Sequence, residues 1–339
     1  MHRRTAATID LNAIRDNFAL ACAQAPASKT MAVIKANAYG HGMLEVAATL
    51  DDSAAAFAVA TLDEAVVLRA AGVDKDILVL EGVNSADACR EAAADGLTLA
   101  VNSREQVELA LASKTPVWIK VDTGMHRLGI EPGELADVLG QLRKASVPVE
   151  AVCTHLARAD DLDDAATRHQ LYAFRACAEA CGLPRSIANS AGILGWPDSH
   201  ADWNRPGIML YGASPFATEV AAASGLRPAM TFEAEVIALR DVPEGDSVGY
   251  GGRWTAARPS KIATLAAGYA DGYPRHAPDG TPTVVHGHIA PIAGTVSMDM
   301  ITIDVTDHPE VAIGDLAELW GQNVSVNDVA KRAGTISYE

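Results

Sequence analysis

The chain has 339 residues, 49% of them hydrophobic and 21% charged, with a formal net charge of -16. These values exclude a disordered or fibrous chain and leave room for two domains, one of them large. The acidity speaks against a nucleic-acid partner, because phosphate backbones are held by clustered Lys and Arg. No apolar run reaches the ~20 residues needed to cross a bilayer. Residues 1–28 are broken by Asp10, Arg15 and Asp16, so they lack the apolar segment of a signal peptide, and the expected place is the cytoplasm. Five cysteines, Cys22, Cys89, Cys153, Cys177 and Cys181, show no metal-ligand spacing and read as small core fillers, with no metal expected.

From residue 30 to 212, short β-branched runs alternate with amphipathic stretches. Eight runs stand out: 32–36, 55–60, 76–80, 97–101, 117–121, 151–156, 185–189 and 202–208. Between them Leu135, Val138, Leu139 and Leu142 fall on one helical face, as do Leu171, Phe174, Ala178 and Cys181. Thr61 with Glu64, and Ser103 with Gln106, have the spacing of capping boxes. Eight strands separated by helices predict a closed (β/α)8 barrel of the TIM type over residues 1–225, with an open doubly wound sheet as the alternative. Beyond Gly212 the texture changes. Residues 213–227 read as a linker with one helical turn, and a mainly β domain is expected over 226–339, with strand-like runs at 232–240, 262–267 and 301–305. Its clear helix candidate is 326–333.

The first barrel run continues as Lys35-Ala36-Asn37-Ala38-Tyr39-Gly40-His41-Gly42. An apolar setting desolvates an ammonium, which lowers a lysine pKa and favours the neutral amine that a Schiff base requires. A lysine that snorkels out or pairs with an acid fits this segment equally well. Taken singly, the other polar residues have plain readings too. Ser190 fits a capped turn, Arg205 a surface ion pair, His155 a satisfied core histidine and Tyr250 a half-buried loop residue.

Taken together, the motifs say more. The stretch 32–42 resembles the lysine segment of alanine racemases, the barrel-type pyridoxal-phosphate family. The similarity continues in order through Lys120-Val121-Asp122-Thr123-Gly124-Met125-His126-Arg127, Thr154-His155-Leu156-Ala157, Ala188-Asn189-Ser190-Ala191 and Arg205-Pro206-Gly207-Ile208. In the second domain it runs through Val248-Gly249-Tyr250-Gly251-Gly252, Gly268-Tyr269-Ala270-Asp271-Gly272 and Gly294-Thr295-Val296-Ser297-Met298-Asp299.

This resemblance implies a cytoplasmic homodimer that interconverts L- and D-alanine, supplying D-alanine for peptidoglycan or serving alanine breakdown. Pyridoxal 5'-phosphate would sit on Lys35 as a Schiff base, its phosphate held by Tyr39, Ser190, Gly207, Ile208 and Tyr338, with Asn189 also binding the cofactor. Arg205 would face the pyridine nitrogen, and Arg127 would steady the phenolic oxygen and the substrate carboxylate. Lys120 matches a position carbamylated in many members of the family. Lys35 and Tyr250 would be the two bases, Tyr250 coming from the partner subunit and meeting His155 and Arg205. Met298, also from the partner, would offer its amide to the substrate, while Tyr269, Arg275 and Asp299 would line the entrance. Two rival readings share the barrel: an amino-acid decarboxylase, which needs an acid where Arg205 is matched, and a non-enzymatic cofactor-binding barrel, which lacks the second domain. A secreted broad-specificity racemase would need a signal peptide. The chain ends at Glu339, where the resemblance implies a short further stretch.

Overall fold

A computed structural model describes residues 4–216, 218 and 220–339. The chain divides into two compact units, one of Leu11–Arg227 and one of Met1–Asp10 with Pro228–Glu339. Strand β1 (Thr5–Ile9) belongs to the second.

The first unit is a closed barrel whose strands follow chain order: β2 (Lys29–Val33), β3 (Ala56–Val59), β4 (Ile77–Val79), β5 (Thr98–Val101), β6 (Val117–Lys120), β7 (Val149–Cys153), β8 (Arg185–Ser186) and β9 (Trp203–Asn204). Every pair is parallel, and β2 closes on β9 through Lys29 opposite Trp203 and Thr30 opposite Asn204. Parallel strands bury both faces, which is why the runs are apolar throughout. Met31, Val33, Ala56, Ala58, Leu78, Ala100, Trp118, Ala151 and Cys153 form the interior cluster. The alternate positions Val117, Ile119, Val121 and Val152 pack outward with helix residues such as Leu135, Val138, Leu139, Leu142, Leu171 and Phe174. Alanines at 56, 58, 100 and 151 leave the interior space that Trp118 and Trp203 occupy, their ring centroids 5.7 Å apart.

Three expectations change. The first strand ends at Val33, so Lys35 stands beyond it. The runs 185–189 and 202–208 shorten to two-residue strands. Asn189 leaves the strand to cap the helix Ser190–Gly195, its Oδ1 accepting from Gly192 N at 2.9 Å, while Pro206 has no N–H to donate to a ladder. Finally, the Thr61 and Glu64 box forms in full, whereas only half of the Ser103 box does. Gln106 turns instead to Asn102 N and Glu81 O, at 2.7 and 2.9 Å. The expected linker 213–227 contains a 3-10 turn, Ala221–Ala223; its residues 217 and 219 lie outside the described residues.

The second unit is built on one long strand, β10 (Met230–Val242). The hairpin β11 (Ser247–Val248) and β12 (Trp254–Thr255) follows, then β13 (Ser260–Leu265), β14 (Pro282–Val285), β15 (His288–Pro291), β16 (Ile301–Asp304) and β17 (Leu316–Trp320). The main sheet runs β15-β14-β17-β10-β13-β16. At a register shift between Val236 and Ala238, β10 changes partners, and β1 takes the place of β13 along residues 230–234. Residues 1–10 were expected with the barrel; this antiparallel pairing joins them to the second unit. Phe232, Val236, Leu265, Tyr273, Ile303 and Leu319 fill its core, and the helix Val326–Ala333 forms where expected.

Candidate active site

Strand alternation decides which polar residues face into the barrel. Lys120 ends β6 two residues on from the inward Trp118, and Lys35, His155 and Arg205 lie just beyond the ends of β2, β7 and β9. These side chains gather at the C-terminal end of the strands, where barrel enzymes place their chemistry.

The group is cationic. Burial and the nearby Arg127 lower the pKa of Lys35, against the opposing pull of Glu81 and Glu64. Burial also lowers that of Lys120, with Cys153 opposing and Arg205 and Arg127 adding to the drop. His155 falls well below 6.5 because it is buried and surrounded by Arg205, Lys120, Arg127 and Lys35. Arg205 is 6% exposed and is pinned by three acceptors: Ser186 Oγ, Thr154 O at 2.6 Å and Ile187 O at 3.4 Å. A guanidinium keeps its charge even there. Such a mouth favours anions, and it depresses each neighbouring base.

Lys35 opens a left-handed turn. Ala36, Asn37, Ala38 and Tyr39 have φ of 52, 53, 54 and 54°. Each non-glycine residue in this region costs ~1–2 kcal/mol, so the turn survives only if its surroundings over-determine it. They do. Ala38 N donates to Ile34 O at 2.8 Å, and Gly40 N to Ala36 O at 3.0 Å. Met43 N donates to Asn37 Oδ1 at 2.9 Å, and His41 Nδ1 lies 2.9 Å from Tyr39 O. Tyr39 stacks on Tyr211 at 4.8 Å, and Tyr211 donates to Val33 O at 3.0 Å.

The turn brings Tyr39 to Gly207. A Cβ on Gly207 would stand 2.6 Å from Tyr39 Oη, so only glycine leaves this approach open. Ser190 Oγ accepts from Gly207 N at 2.9 Å and Met209 N at 3.3 Å. A hydroxyl on one side and amides on the other form a small polar cradle, with Ile208 opening the next turn, Ile208–Tyr211. Asn189 is occupied by helix capping and by Leu156 O at 3.3 Å.

Arg127 rides on a loop after β6. Asp122 Oδ1 accepts from the amides of Gly124, Met125 and His126 at 2.9, 3.0 and 3.1 Å. Ile130 N donates to Lys120 O and Asp122 N to Ile130 O, both at 2.9 Å, so the loop is sewn at its base.

Tyr250, Tyr269, Arg275, Met298, Asp299 and Tyr338 lie in the second unit. Thr295 Oγ1 donates to Tyr250 O at 3.1 Å, and Tyr269 N and Ala270 N donate to Ser297 O and Met298 O at 3.0 and 2.8 Å. The three motif loops are thereby tied together. Tyr250 is 75% exposed, Met298 59% and Tyr338 53%. The Arg275 guanidinium lies 6.0 Å from the Tyr269 ring centroid.

Sequence reasoning missed three supports. Gln170 donates to His155 O at 2.9 Å and accepts from Ala157 N at 2.8 Å, bracing that segment from a helix. Tyr211 is the post behind Tyr39. Glu64 showed as a helix cap, yet it also holds Ala36 N. Among the described residues no cluster could hold a metal ion, and no helix is long and apolar enough to cross a membrane.

The model of the alanine racemase N-terminal domain matches residues 9–215, and that of the C-terminal domain matches residues 229–339. An alanine racemase of Azoarcus sp. is 48% identical, covering 99% of this chain and 96% of the relative. The biosynthetic alanine racemase of Pseudomonas aeruginosa is 47% identical, again with 99% and 96% covered. Its crystal structure superposes with a TM-score of 0.96 over 99% of this chain and 96% of that one. A structure of alanine racemase from Bartonella henselae, with covalently bound pyridoxal phosphate, is 32% identical with a TM-score of 0.90, covering 98% and 95%.

Proposed function

The chain belongs to the alanine racemase family and is an amino-acid racemase, and from that premise we propose that it interconverts L- and D-alanine with pyridoxal 5'-phosphate on Lys35. The observation that carries the reading is the convergence of Lys35, Lys120 and Arg205 around the buried His155, beside the cradle of Tyr39, Ser190 and Gly207. The cofactor in the Bartonella relative supports the same group here.

The residues fit a phosphorylated pyridine. A phosphate needs donors and tolerates no crowding, and residue 207 is a glycine where a Cβ would close the space against Tyr39 Oη. Tyr39, Ser190 and the amides of Gly207 and Ile208 would hold it, the resemblance gives Tyr338 to the same task, and Asn189 would bind elsewhere on the cofactor. When bound, the cofactor supplies an electron sink that acidifies the substrate Cα–H bond. Arg205 would face the pyridine nitrogen and, unable to accept a proton, would leave it unprotonated and the sink weak, which would disfavour transamination and decarboxylation. Arg127 offers a planar fork of donors to the substrate carboxylate. Carbamylation would turn Lys120 from a cation into an anion able to orient Arg127.

Inversion removes a proton from one face and returns one to the other, so two bases are needed. Lys35 serves the D-enantiomer, and its lowered pKa favours the neutral amine. Tyr250 of the partner subunit serves the L-enantiomer, where the resemblance has it meet His155 and Arg205. Met298 of the partner subunit offers its amide to the carboxylate, and Tyr269, Arg275 and Asp299 line the approach. The enzyme is then a cytoplasmic homodimer, and the name of the Pseudomonas relative favours supply of D-alanine for peptidoglycan over breakdown. The test is D-alanine formed from L-alanine by the purified chain, with the cofactor stripped and restored. A chain that takes up the cofactor yet leaves L-alanine unchanged overturns the reading.

A further inference from the structure

Glu64 sits on the helix Leu62–Ala70, and its carboxylate is divided between two tasks. Oε2 accepts from Ala60 N at 2.8 Å and Thr61 N at 3.3 Å, closing the capping box. Oε1 reaches across to Ala36 N at 2.6 Å. That amide is the first of the left-handed turn and directly follows Lys35. A carboxylate receiving backbone N–H groups makes a charge-assisted bond, about twice as strong as a neutral one. The strained turn needs such a bond more than an ordinary turn does.

We propose that Glu64 is a positioning residue for Lys35, its carboxylate clamping the Ala36 amide to the end of β3 and so fixing where the lysine side chain leaves the backbone. The proposal rests on Lys35 being the cofactor lysine. A helix cap alone would need only Oε2, and the second oxygen would then be free for water. The charge of Glu64 has a further effect. Lys35 faces Arg127, which lowers its proton affinity, and Glu81 and Glu64, which raise it. Removing the Glu64 charge therefore moves the lysine further toward the neutral amine, while removing its reach releases the turn.

Two variants of the cofactor-free chain separate the clamp from the cap. Glu64→Gln keeps shape but loses the charge, and turns an N–H2 toward backbone donors. Thr61→Ala breaks the other half of the box and leaves Ala36 untouched. Both should stay folded by circular dichroism. In Glu64→Gln, amide exchange at Ala36 is expected to rise about 10-fold, the loss of ~1.4 kcal/mol of protection, and the pH midpoint of Lys35 acylation, followed by peptide mass spectrometry, is expected to fall. In Thr61→Ala both should remain as in the parent. Exchange at Ala36 that stays at the parent rate in folded Glu64→Gln, or rises equally in Thr61→Ala, overturns the proposal and leaves Glu64 a helix cap. These readouts need neither cofactor nor turnover, so they report on Glu64 even if the assignment of Lys35 fails.

Discussion

Replacing Lys35 by alanine removes an inward amine that no neighbouring position restores, since Lys120 stands on a different strand and Arg127 on a loop. Racemisation should fall by ~10³-fold or more, as loss of an essential base implies, and the visible absorbance of the lysine-bound cofactor should vanish. Unchanged absorbance, fixed by borohydride to another lysine, would be the contrary result. His155 makes a different kind of prediction, about pH. Burial and four cationic neighbours hold its pKa well below 6.5 in the folded chain. The unfolded chain titrates near the ordinary value, so below about pH 6.5 it binds more protons than the folded one, and stability falls as pH drops through that window. His155→Gln lacks this term. Its urea midpoint should therefore drop less than the parent's on acidification from pH 7.5 to pH 5.5. Lys35, Lys120, His155 and Arg205 were named from the sequence through their resemblance to family motifs. The site roles of Glu64 and Gln170 were not legible, because their partners are backbone amides and carbonyls remote in sequence.

Loops carry this site, and glycine decides the shape of the one that holds Arg127. Gly129 has φ of 128°, and a Cβ there would meet Asp122 N at 2.6 Å. Gly129→Ala costs about 1–3 kcal/mol for the backbone conformation alone, and the contact with backbone adds to it. The thermal midpoint should drop, and kcat/KM for alanine should drop by more than 10-fold as the Arg127 guanidinium is displaced; unchanged kinetics would show that the loop does not set its place. The helices were legible from their apolar faces, and the strands from apolar runs bounded by turn residues. The left-handed turn was not. Asn37 and small alanines permit that conformation, but the hydrogen bonds that impose it come from Ile34, Glu64 and His41, and no local propensity encodes them. Strands β8 and β9 were read too long for a related reason. The first run continues into Ile187, whose carbonyl accepts from Arg205, and Asn189, which caps a helix; the second continues into Arg205 itself.

For the whole molecule, the decisive experiment is complementation. Tyr250→Phe keeps the ring and removes the hydroxyl, so it and Lys35→Ala should each be inactive. Mixed protomers should regain activity, because some heterodimers contain one intact site. If activity stays absent while subunit exchange is demonstrated, Tyr250 does not act across a dimer. Mainly β order after residue 228 was legible from alternating runs, but the ownership of β1 was not, because its partner lies at the far end of the barrel sequence. That pairing orders events during synthesis. β1 leaves the ribosome ahead of its partner, and Met230–Val242 follows only after some 220 further residues. At roughly 5–20 residues per second, β1 waits on the order of 10–40 s without a strand to pair with. Three of its five residues remain exposed even after pairing, so a nascent chain carries little apolar bait through that interval.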